Sequence, residues 1–433
     1  MELDSQYRHH LKVMLNRVNS LLEQQDFSGI AIHSGQPQRF FMDDQRYPFA
    51  INPHFKSWIY LPDRPHCWLL LDGSKRPKLI LYQPREFSEA YQALGEDELS
   101  QFFEIERLRE PQHVNGYLPA NRNEWVYVGE HLEVADLLGF VHKNLDTVIN
   151  FFHYHRANKT AYEISCLRQA SRLAEQGQQA ISQGLARQHS EFSLYLDYLK
   201  AVGQQEMELP FMPSIAINDR CAYLRQRAYQ HSVILPVTSC VADGAVRYRG
   251  YISESCRSYG IRDQEYSELL LELEKAHQLL LSDIRCGTRF TELQKKAEQL
   301  LLDLLLEQKL VTLVSSELIP ELIQHFFPLS VGHHIGIQAH DVGGLLQDER
   351  GTLLPAPESH PFIRCTRLIE PDQVLFMNLA IYFNPPLLQR LKQSALSGCI
   401  NWSRIDELRG YGALRTGDVI VAGQEGVEVL TRT

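Results

Sequence analysis

The stretch ADGAVRYRGYISESCRSYG, residues 242–260, carries two carboxylates, Asp243 and Glu254. We predict a strand over residues 246–257 and further strands elsewhere in the second half of the chain. These cover residues 214–217, 233–237, 374–383 and 418–421.

Apolar residues at helical spacing predict long amphipathic helices in the same half of the chain. They cover residues 159–183, 191–204, 265–281 and 292–308. Helices layered on antiparallel strands indicate an α+β domain over residues 156–433, which carries the candidate pocket.

The first 155 residues predict a separate α/β domain, because strands alternate with helices along them. The predicted helices cover residues 7–24, 88–93 and 131–138. The predicted strands cover residues 29–33, 57–61, 67–71, 78–82 and 125–127. The segment NFFHYHRAN, residues 150–158, marks the boundary, after which the pattern becomes more helical.

Length and composition exclude several classes of protein. A chain of 433 residues is too long for one ordinary domain, and its 44% hydrophobic and 22% charged residues are ordinary globular composition. The net charge of −10 argues against nucleic-acid binding, because no basic excess is there to neutralise phosphates. No apolar run approaches the roughly 18 residues of a membrane span, and no secretory leader pattern is visible. The eight cysteines stand singly, so we expect free thiols and a cytoplasmic protein.

Four longer stretches carry a resemblance to a known family. They are DDQRYPFAINPHFKSW (43–58), RANKTAYEISCLRQA (156–170), VGHHIGIQAHDVGG (331–344) and FIRCTRLIEPDQVL (362–375). On these motifs the chain resembles bacterial proline dipeptidases (prolidases), members of the creatinase or "pita-bread" fold family. The resemblance implies an N-terminal domain, a C-terminal pita-bread domain whose inner sheet forms the pocket, and a homodimer. It also implies two divalent cations, usually manganese, held by Asp, Asp, His, Glu and Glu, with a bridging hydroxide that attacks the amide bond before proline.

Five positions of this chain match those ligands. Asp243 and His333 carry the family's residue, whereas Glu254 stands where the second aspartate belongs. Asn378, in VLFMNLAIYF, replaces a glutamate that the family carries in a T-x-E-P-G-like context, and Gly417 replaces the last glutamate. Two hard cations need several anionic oxygen ligands, so these changes predict that the dinuclear site is lost.

Three further positions bear on this expectation. Asp418 follows Gly417 directly, but neighbouring side chains on a strand point to opposite faces, so we expect it to point away from the site. Two histidines of the family, which handle protons or substrate, correspond here to Leu329 and Arg225. A permanent positive charge at Arg225 would partly replace the electrostatic effect of the cations.

From these changes we expect a repurposed, metal-independent enzyme that acts on a small amino-acid-like or dipeptide-like substrate. In this hypothesis His333 is the acid or base, and Glu254 and Asp243 bind or polarise the substrate. The substrate contacts are assigned to Arg225, His340, Arg364, Asn378 and Arg415. One alternative is an Xaa-Pro dipeptidase with a single Mn or Zn ion on Asp243, Glu254 and His333. The other is a non-catalytic pseudoenzyme that binds a ligand or partner.

Structural roles stand beside the functional ones for several of these side chains. Glu254 is either one of a carboxylate pair with a raised pKa or the ion-pair partner of Arg225 or Arg415. His333 is either a general base or a core histidine held by hydrogen bonds. A guanidinium at Arg364 or Arg415 binds a substrate carboxylate or orients a carboxylate of the pocket.

Overall fold

The computed structural model describes residues 2–62, 64–85, 87, 99–233, 235–312 and 314–432. The chain divides into two compact units. The first consists of Met1–Arg156, Thr160–Glu163 and Asp348–Thr352, and the second of Ala157–Lys159, Ile164–Gln347 and Leu353–Thr433. Within the described ranges, no helix is both long and apolar enough to cross a membrane.

The first unit is built on a mixed six-stranded sheet. Its helices are α1 (Glu2–Gln24), α2 (Pro53–Lys56), α3 (Leu132–Leu137) and α4 (Asp146–Arg156). Its strands are β1 (Gly29–His33), β2 (Trp68–Leu71), β3 (Lys78–Tyr82), β4 (Glu104–Leu108), β5 (Trp125–Val128) and β6 (His142–Lys143). The strand order is β4-β3-β2-β1-β5-β6, with antiparallel pairs β1–β2 and β2–β3 and parallel pairs elsewhere. The mixed sheet and its helices confirm the predicted α/β domain.

The second unit is built on an antiparallel sheet in the order β10-β11-β12-β9-β8-β7, with β13 paired to β12. Its strands are β7 (Ser214–Ile217), β8 (Ser239–Tyr248), β9 (Tyr251–Gly260), β10 (Gly332–His334), β11 (Val374–Tyr382), β12 (Ala413–Ala422) and β13 (Val427–Val429). Its helices are α5 (Ala161–Ala186), α6 (Glu191–Val202), α7 (Gln264–Ser282), α8 (Phe290–Glu307), α9 (Ile319–Gln324), α10 (Pro385–Gln393) and α11 (Trp402–Leu408). Helices with antiparallel strands confirm the α+β prediction.

The single strand predicted over residues 246–257 is wrong, because the chain reverses in the middle of it. Strands β8 and β9 pair from Ser239–Gly260 down to Tyr248–Tyr251. The two residues between them, Arg249 and Gly250, have φ of 47° and 89°. Positive φ at both central residues defines the tight hairpin turn whose twist matches that of the strands.

Three other predicted elements fare differently. Residues 57–61 are not a strand. Instead α2 ends just before them, begun by Pro53 and capped by Asn52, whose Oδ1 accepts from the backbone nitrogens of His54 and Phe55. No strand forms among the described residues of 233–237, where Pro236 lacks the N–H that a ladder needs. The helix predicted over residues 88–93 lies outside the described residues.

The predicted orientation of Asp418 is confirmed, because this side chain is fully buried behind the sheet. Its carboxylate accepts hydrogen bonds from Arg257, Arg432 and Thr431 at 2.7 Å, and His277 Nε2 lies 3.1 Å away. Burial alone would raise the pKa of Asp418, but the His277 hydrogen bond and the two arginine charges outweigh it and hold the pKa far below its ordinary value. Asp418 therefore ties β12 to β9, α7 and the end of the chain.

We expect Asp418→Asn to lower the free energy of unfolding at pH 7 by about 3–5 kcal/mol, because it removes a fully buried anion from the buried His277 and from the partly exposed Arg257 and Arg432. A depressed folded pKa stabilises the fold above the ordinary aspartate pKa of about 4 and loses that effect as the pH falls. The difference between the two proteins in urea unfolding should therefore shrink below about pH 4. Asp406→Asn, which removes an exposed partner of Arg409, serves as the control. Equal urea midpoints for Asp418→Asn and wild type would contradict this role.

Candidate functional site

The register of the antiparallel sheet brings four of the five predicted positions to one face. Asn378 pairs with Gly417, Gly417 with Cys256, and Cys256 with Asp243. Directly paired residues project to the same face of a sheet, and residues two apart on a strand share that face. Glu254, two residues before Cys256, therefore joins them.

The fifth position reaches the same face through the neighbouring strand. His333 pairs with Phe376, which is two residues from Asn378 on β11. Its imidazole is nearly buried, and its ring centroid lies 5.5 Å from that of Phe376. The second sheet thus gathers all five positions on one surface.

Asp243 is held by a buried ion pair with Arg415. Arg415 Nη2 donates to Asp243 Oδ2 at 2.7 Å, and the guanidinium lies 5.8 Å from the centroid of the Tyr382 ring. The other carboxylate oxygen, Oδ1, is buried and has no hydrogen-bond partner. Arg415 therefore orients a pocket carboxylate and leaves one of its oxygens available.

Glu254 lies close enough to this pair to be affected by the charges of both Asp243 and Arg415. Burial raises the pKa of Glu254 well above its ordinary value, and the charge of Asp243 raises it further. The charges of Arg415 and Arg225 oppose this effect without cancelling it. Asp243 and Glu254 thus form a carboxylate pair in which Glu254 binds a proton more readily than an exposed glutamate does.

His333 is neutral and oriented. Its Nδ1 donates to the backbone oxygen of His334 at 3.0 Å, which leaves Nε2 as the nitrogen with a lone pair. Burial lowers the pKa of His333 to about 3, and the neighbouring His340 and Arg364 add to the effect. The His340 ring stands edge-on to it, with ring centroids 4.5 Å apart and planes at 88°.

Two exposed arginines extend the site toward solvent. Arg225 and Arg364 are exposed. Desolvation of its ring lowers the pKa of His340, and the charges of Arg364 and Arg225 lower it further. Among the residues described, neither arginine has an acidic side chain within ion-pair distance.

The aromatic ring of Phe376 fills the space left by the missing side chain at position 417. A Cβ on Gly417 would lie 2.5 Å from Phe376 Cζ and 3.2 Å from the Cβ of Asn378. Sequence reasoning missed this ring. The signal was available, because Phe376 stands at the threonine of the T-x-E-P-G-like context while Gly417 loses its side chain.

Three side chains gathered at the site carry groups that ligate divalent cations in proteins. Asp243 offers an unpartnered oxygen, Glu254 a second carboxyl group, and His333 a free Nε2 whose other ring nitrogen is hydrogen-bonded, as metal ligands require. Asn378 supplies only a neutral amide, whose Nδ2 donates to Ser330 O at 3.3 Å. Across the part of the chain that the structure describes, no three His, Cys, Asp or Glu side chains form a cluster of metal-binding spacing.

Comparisons with known proteins cover the whole chain. The family described as "Xaa-Pro dipeptidase, N-terminal domain" matches residues 5–154, and "Metallopeptidase family M24" matches residues 165–423. An Xaa-Pro dipeptidase of Shewanella baltica (strain OS185) is 39% identical over 432 residues, 100% of this chain and 98% of that protein. An Xaa-Pro dipeptidase of Aeromonas hydrophila is 41% identical over 432 residues, 98% of each chain.

Solved structures support the fold. Aminopeptidase P from E. coli with the inhibitor Pro-Leu superposes with a TM-score of 0.74 at 17% identity, over 98% of this chain and 95% of that one. Proline aminopeptidase P II from Yersinia pestis gives a TM-score of 0.71 at 17% identity, over 98% and 96% of the two chains. The expected pita-bread domain, with its N-terminal partner domain, is confirmed.

The expectation of a repurposed, metal-independent enzyme is contradicted by these relatives, which match the full length at about 40% identity and are named Xaa-Pro dipeptidases. The pseudoenzyme alternative likewise finds no support. The ligand count at five positions gave too much weight to a few side chains, because the rest of both domains matches the dipeptidases. Of the alternatives, an Xaa-Pro dipeptidase agrees better with the relatives.

We expect Gly417→Ala to destabilise the fold by about 1–3 kcal/mol, because the added methyl group overlaps the Phe376 ring. Phe376→Leu should relieve the overlap, so the double variant should be more stable than the sum of the two single effects predicts. Gly410→Ala is the matched control, since a Cβ there meets nothing within 4 Å. Urea unfolding of the four variants measures the coupling, and additive costs would contradict the overlap.

Proposed function

The chain belongs to the Xaa-Pro dipeptidases of metallopeptidase family M24, and we propose that it hydrolyses the amide bond before proline in dipeptides. The observation that carries the proposal is the full-length match to proteins of that name. A second support is the sheet register, which gathers Asp243, Glu254, His333 and Asn378 on one face. The reaction is therefore an acyl transfer to water.

A dipeptide offers a carboxylate, an amine and the scissile carbonyl. In our proposal the exposed guanidinium groups of Arg225 and Arg364 bind the proline carboxylate, because arginine presents paired donors to a carboxylate. His340, whose ring stands edge-on to that of His333 and whose pKa these charges lower, contacts the substrate beside the scissile bond. The Oδ1 of Asn378 remains to accept a hydrogen bond, since Nδ2 donates to Ser330 O.

Arg415 has a different role in this proposal. Its guanidinium already donates to Asp243 Oδ2 at 2.7 Å, and both side chains are nearly buried. A buried cation paired with a buried carboxylate fixes the orientation of that carboxylate. Arg415 therefore aims Asp243 Oδ1 toward the substrate side and does not itself bind the substrate carboxylate.

We further propose that one divalent ion, Mn or Zn, is held by Asp243, Glu254 and His333. Three such ligands are enough for one ion that keeps an open position, and binding would draw them to the metal-binding spacing that no three such side chains of the described residues have in the structure. A bound ion would supply Lewis-acid polarisation of the scissile carbonyl. The neutral ring of His333, with Nδ1 fixed to the His334 carbonyl, presents Nε2 in the tautomer that ligation needs.

The assembly and the location are part of the same proposal. We propose a homodimer in the cytoplasm, as the resemblance and the unpaired cysteines indicate. Sedimentation at equilibrium checks the first statement, because a single species of twice the chain's 49.9 kDa is expected.

The test of the activity is hydrolysis of Leu-Pro by the purified protein, with Leu-Leu as the substrate lacking proline. We expect turnover of Leu-Pro that falls on dialysis against a chelator and returns with Mn²⁺ or Zn²⁺. His333→Ala should lower kcat/KM by about 100-fold or more, since metal affinity and activity depend on such ligands. His113→Ala, on an exposed histidine of the first unit, should leave it unchanged.

Elemental analysis of the same preparations separates the two parts of the proposal. One ion per chain is expected, and two ions with Leu-Pro hydrolysis would refute the single ion while leaving the dipeptidase intact. No hydrolysis of Xaa-Pro dipeptides with either metal would refute the function.

A further inference from the structure

A buried ion pair lies under the loop that carries His340. Lys159 Nζ and Asp341 Oδ2 are 3.1 Å apart, and their side chains are 1% and 0% exposed. Burying two charges is costly even when they pair, so such a pair adds little to stability compared with apolar residues of similar size. The pair instead constrains the segments that carry the two side chains, because moving them apart would leave buried charges separated from each other at a high cost in free energy.

Asp341, the acid of this pair, closes the loop over residues 335–340. Asp341 N donates to His334 O at 2.9 Å, so the loop closes on the last residue of β10. Asp341 Oδ1 accepts from the backbone nitrogen of Val342 at 3.0 Å. His340 directly precedes Asp341 in the chain. Holding the Asp341 side chain in place therefore also holds the backbone from which the His340 side chain extends.

The pair also packs against the backbone of Gly336. A Cβ on Gly336 would collide with Asp341 Oδ2 and would lie 2.8 Å from Lys159 Cε, so only glycine allows this approach. The backbone oxygen of Gly336 accepts from Ile252 N at 2.7 Å, on β9 and two residues from Glu254. The ion pair thus packs against a loop residue that is hydrogen-bonded to β9, the strand that carries Glu254.

Lys159 is itself anchored to the strand on the other side of the site. Its backbone nitrogen donates to Asp372 O at 2.9 Å, and the side chain of Asn158 donates to Pro371 O at 3.0 Å. Pro371 and Asp372 lie just before β11, which begins at Val374 and carries Asn378. Lys159 therefore connects the start of β11 to the loop that ends at His340.

We propose that Lys159 is a positioning residue which, through Asp341, holds the His340 ring edge-on to His333. The two ring centroids lie 4.5 Å apart with the planes at 88°, and the end of the loop sets where the His340 ring lies. A displacement of about 1 Å in a substrate-contacting group can cost about 100-fold in rate. The kinetic consequence rests on the proposed dipeptidase function, whereas the placement of the ring does not.

The test compares variants of the full-length protein. Lys159→Met alone leaves Asp341 buried without its cation and is open to misfolding, so the neutral pair Lys159→Met with Asp341→Asn is the main variant. Asparagine keeps the acceptor for Val342 N, and methionine keeps most of the lysine volume. Lys159→Arg is the conservative variant, and Lys296→Met, in an exposed pair with Asp283, is the matched control.

For Leu-Pro hydrolysis we expect the neutral pair to lower kcat by about 10- to 100-fold, with rescue toward wild type by Lys159→Arg and no effect of Lys296→Met. Adding His340→Ala to the neutral pair should cause no further loss beyond that of His340→Ala alone, because both changes act through one ring. Independent, multiplying losses would overturn the proposal, since a merely structural pair would act that way.

The imidazole NMR resonances of His340 provide a readout that needs no turnover. We expect them to shift in the neutral-pair variant and to keep their wild-type positions in Lys296→Met, with both variants folded by circular dichroism. Unchanged His340 resonances in the neutral-pair variant would overturn the positioning role whether or not Leu-Pro is a substrate. Absence of Leu-Pro hydrolysis by the wild type would refute the dipeptidase function and leave this comparison intact.

Discussion

The pairing register of the second sheet is the constraint on which the site depends. Because Asn378, Gly417, Cys256 and Asp243 lie in one row across four strands, their side chains share a face without any loop having to bring them there. A shift of one residue in any of these strands would exchange the two faces. The register therefore fixes the site and its surroundings together.

The same alternation gives each face of the sheet its own buried carboxylate. On one face Arg415 binds Asp243, and on the other Arg257 and Arg432 bind Asp418. The two acids differ in what their partners leave free. Every oxygen of Asp418 is hydrogen-bonded, so it acts as a structural anchor, whereas Asp243 keeps one oxygen without a partner on the site face. The two residues are both aspartates, and their roles differ because their hydrogen-bond partners differ.

Local sequence patterns predict many of the helices and strands, but they predict few of the side-chain contacts between those elements. Helical periodicity identifies long helices such as α5 and α8, and the motifs identify the five positions that the sheet brings together. The turn at Arg249 and Gly250 is missed, because positive φ at an arginine has no strong sequence signal. Strand β4 is missed because its edge residues are mostly polar.

The ring of Phe376 over Gly417 is a contact between distant segments, so single-strand patterns do not reveal it. The function assigned from the ligand count is wrong for a related reason, because a few substituted side chains do not outweigh similarity over both domains.

The contact between Phe376 and position 417 also orders the routes by which this chain can change. A longer side chain at 417 has no room while the phenyl ring is present, since its first carbon already lies 2.5 Å from Phe376 Cζ. The ring must shrink first, and that step leaves a void with its own cost until a second change fills it. A longer side chain at position 417 therefore requires a change at position 376 as well. The residue present at one of these two positions therefore determines which side chains can be accommodated at the other.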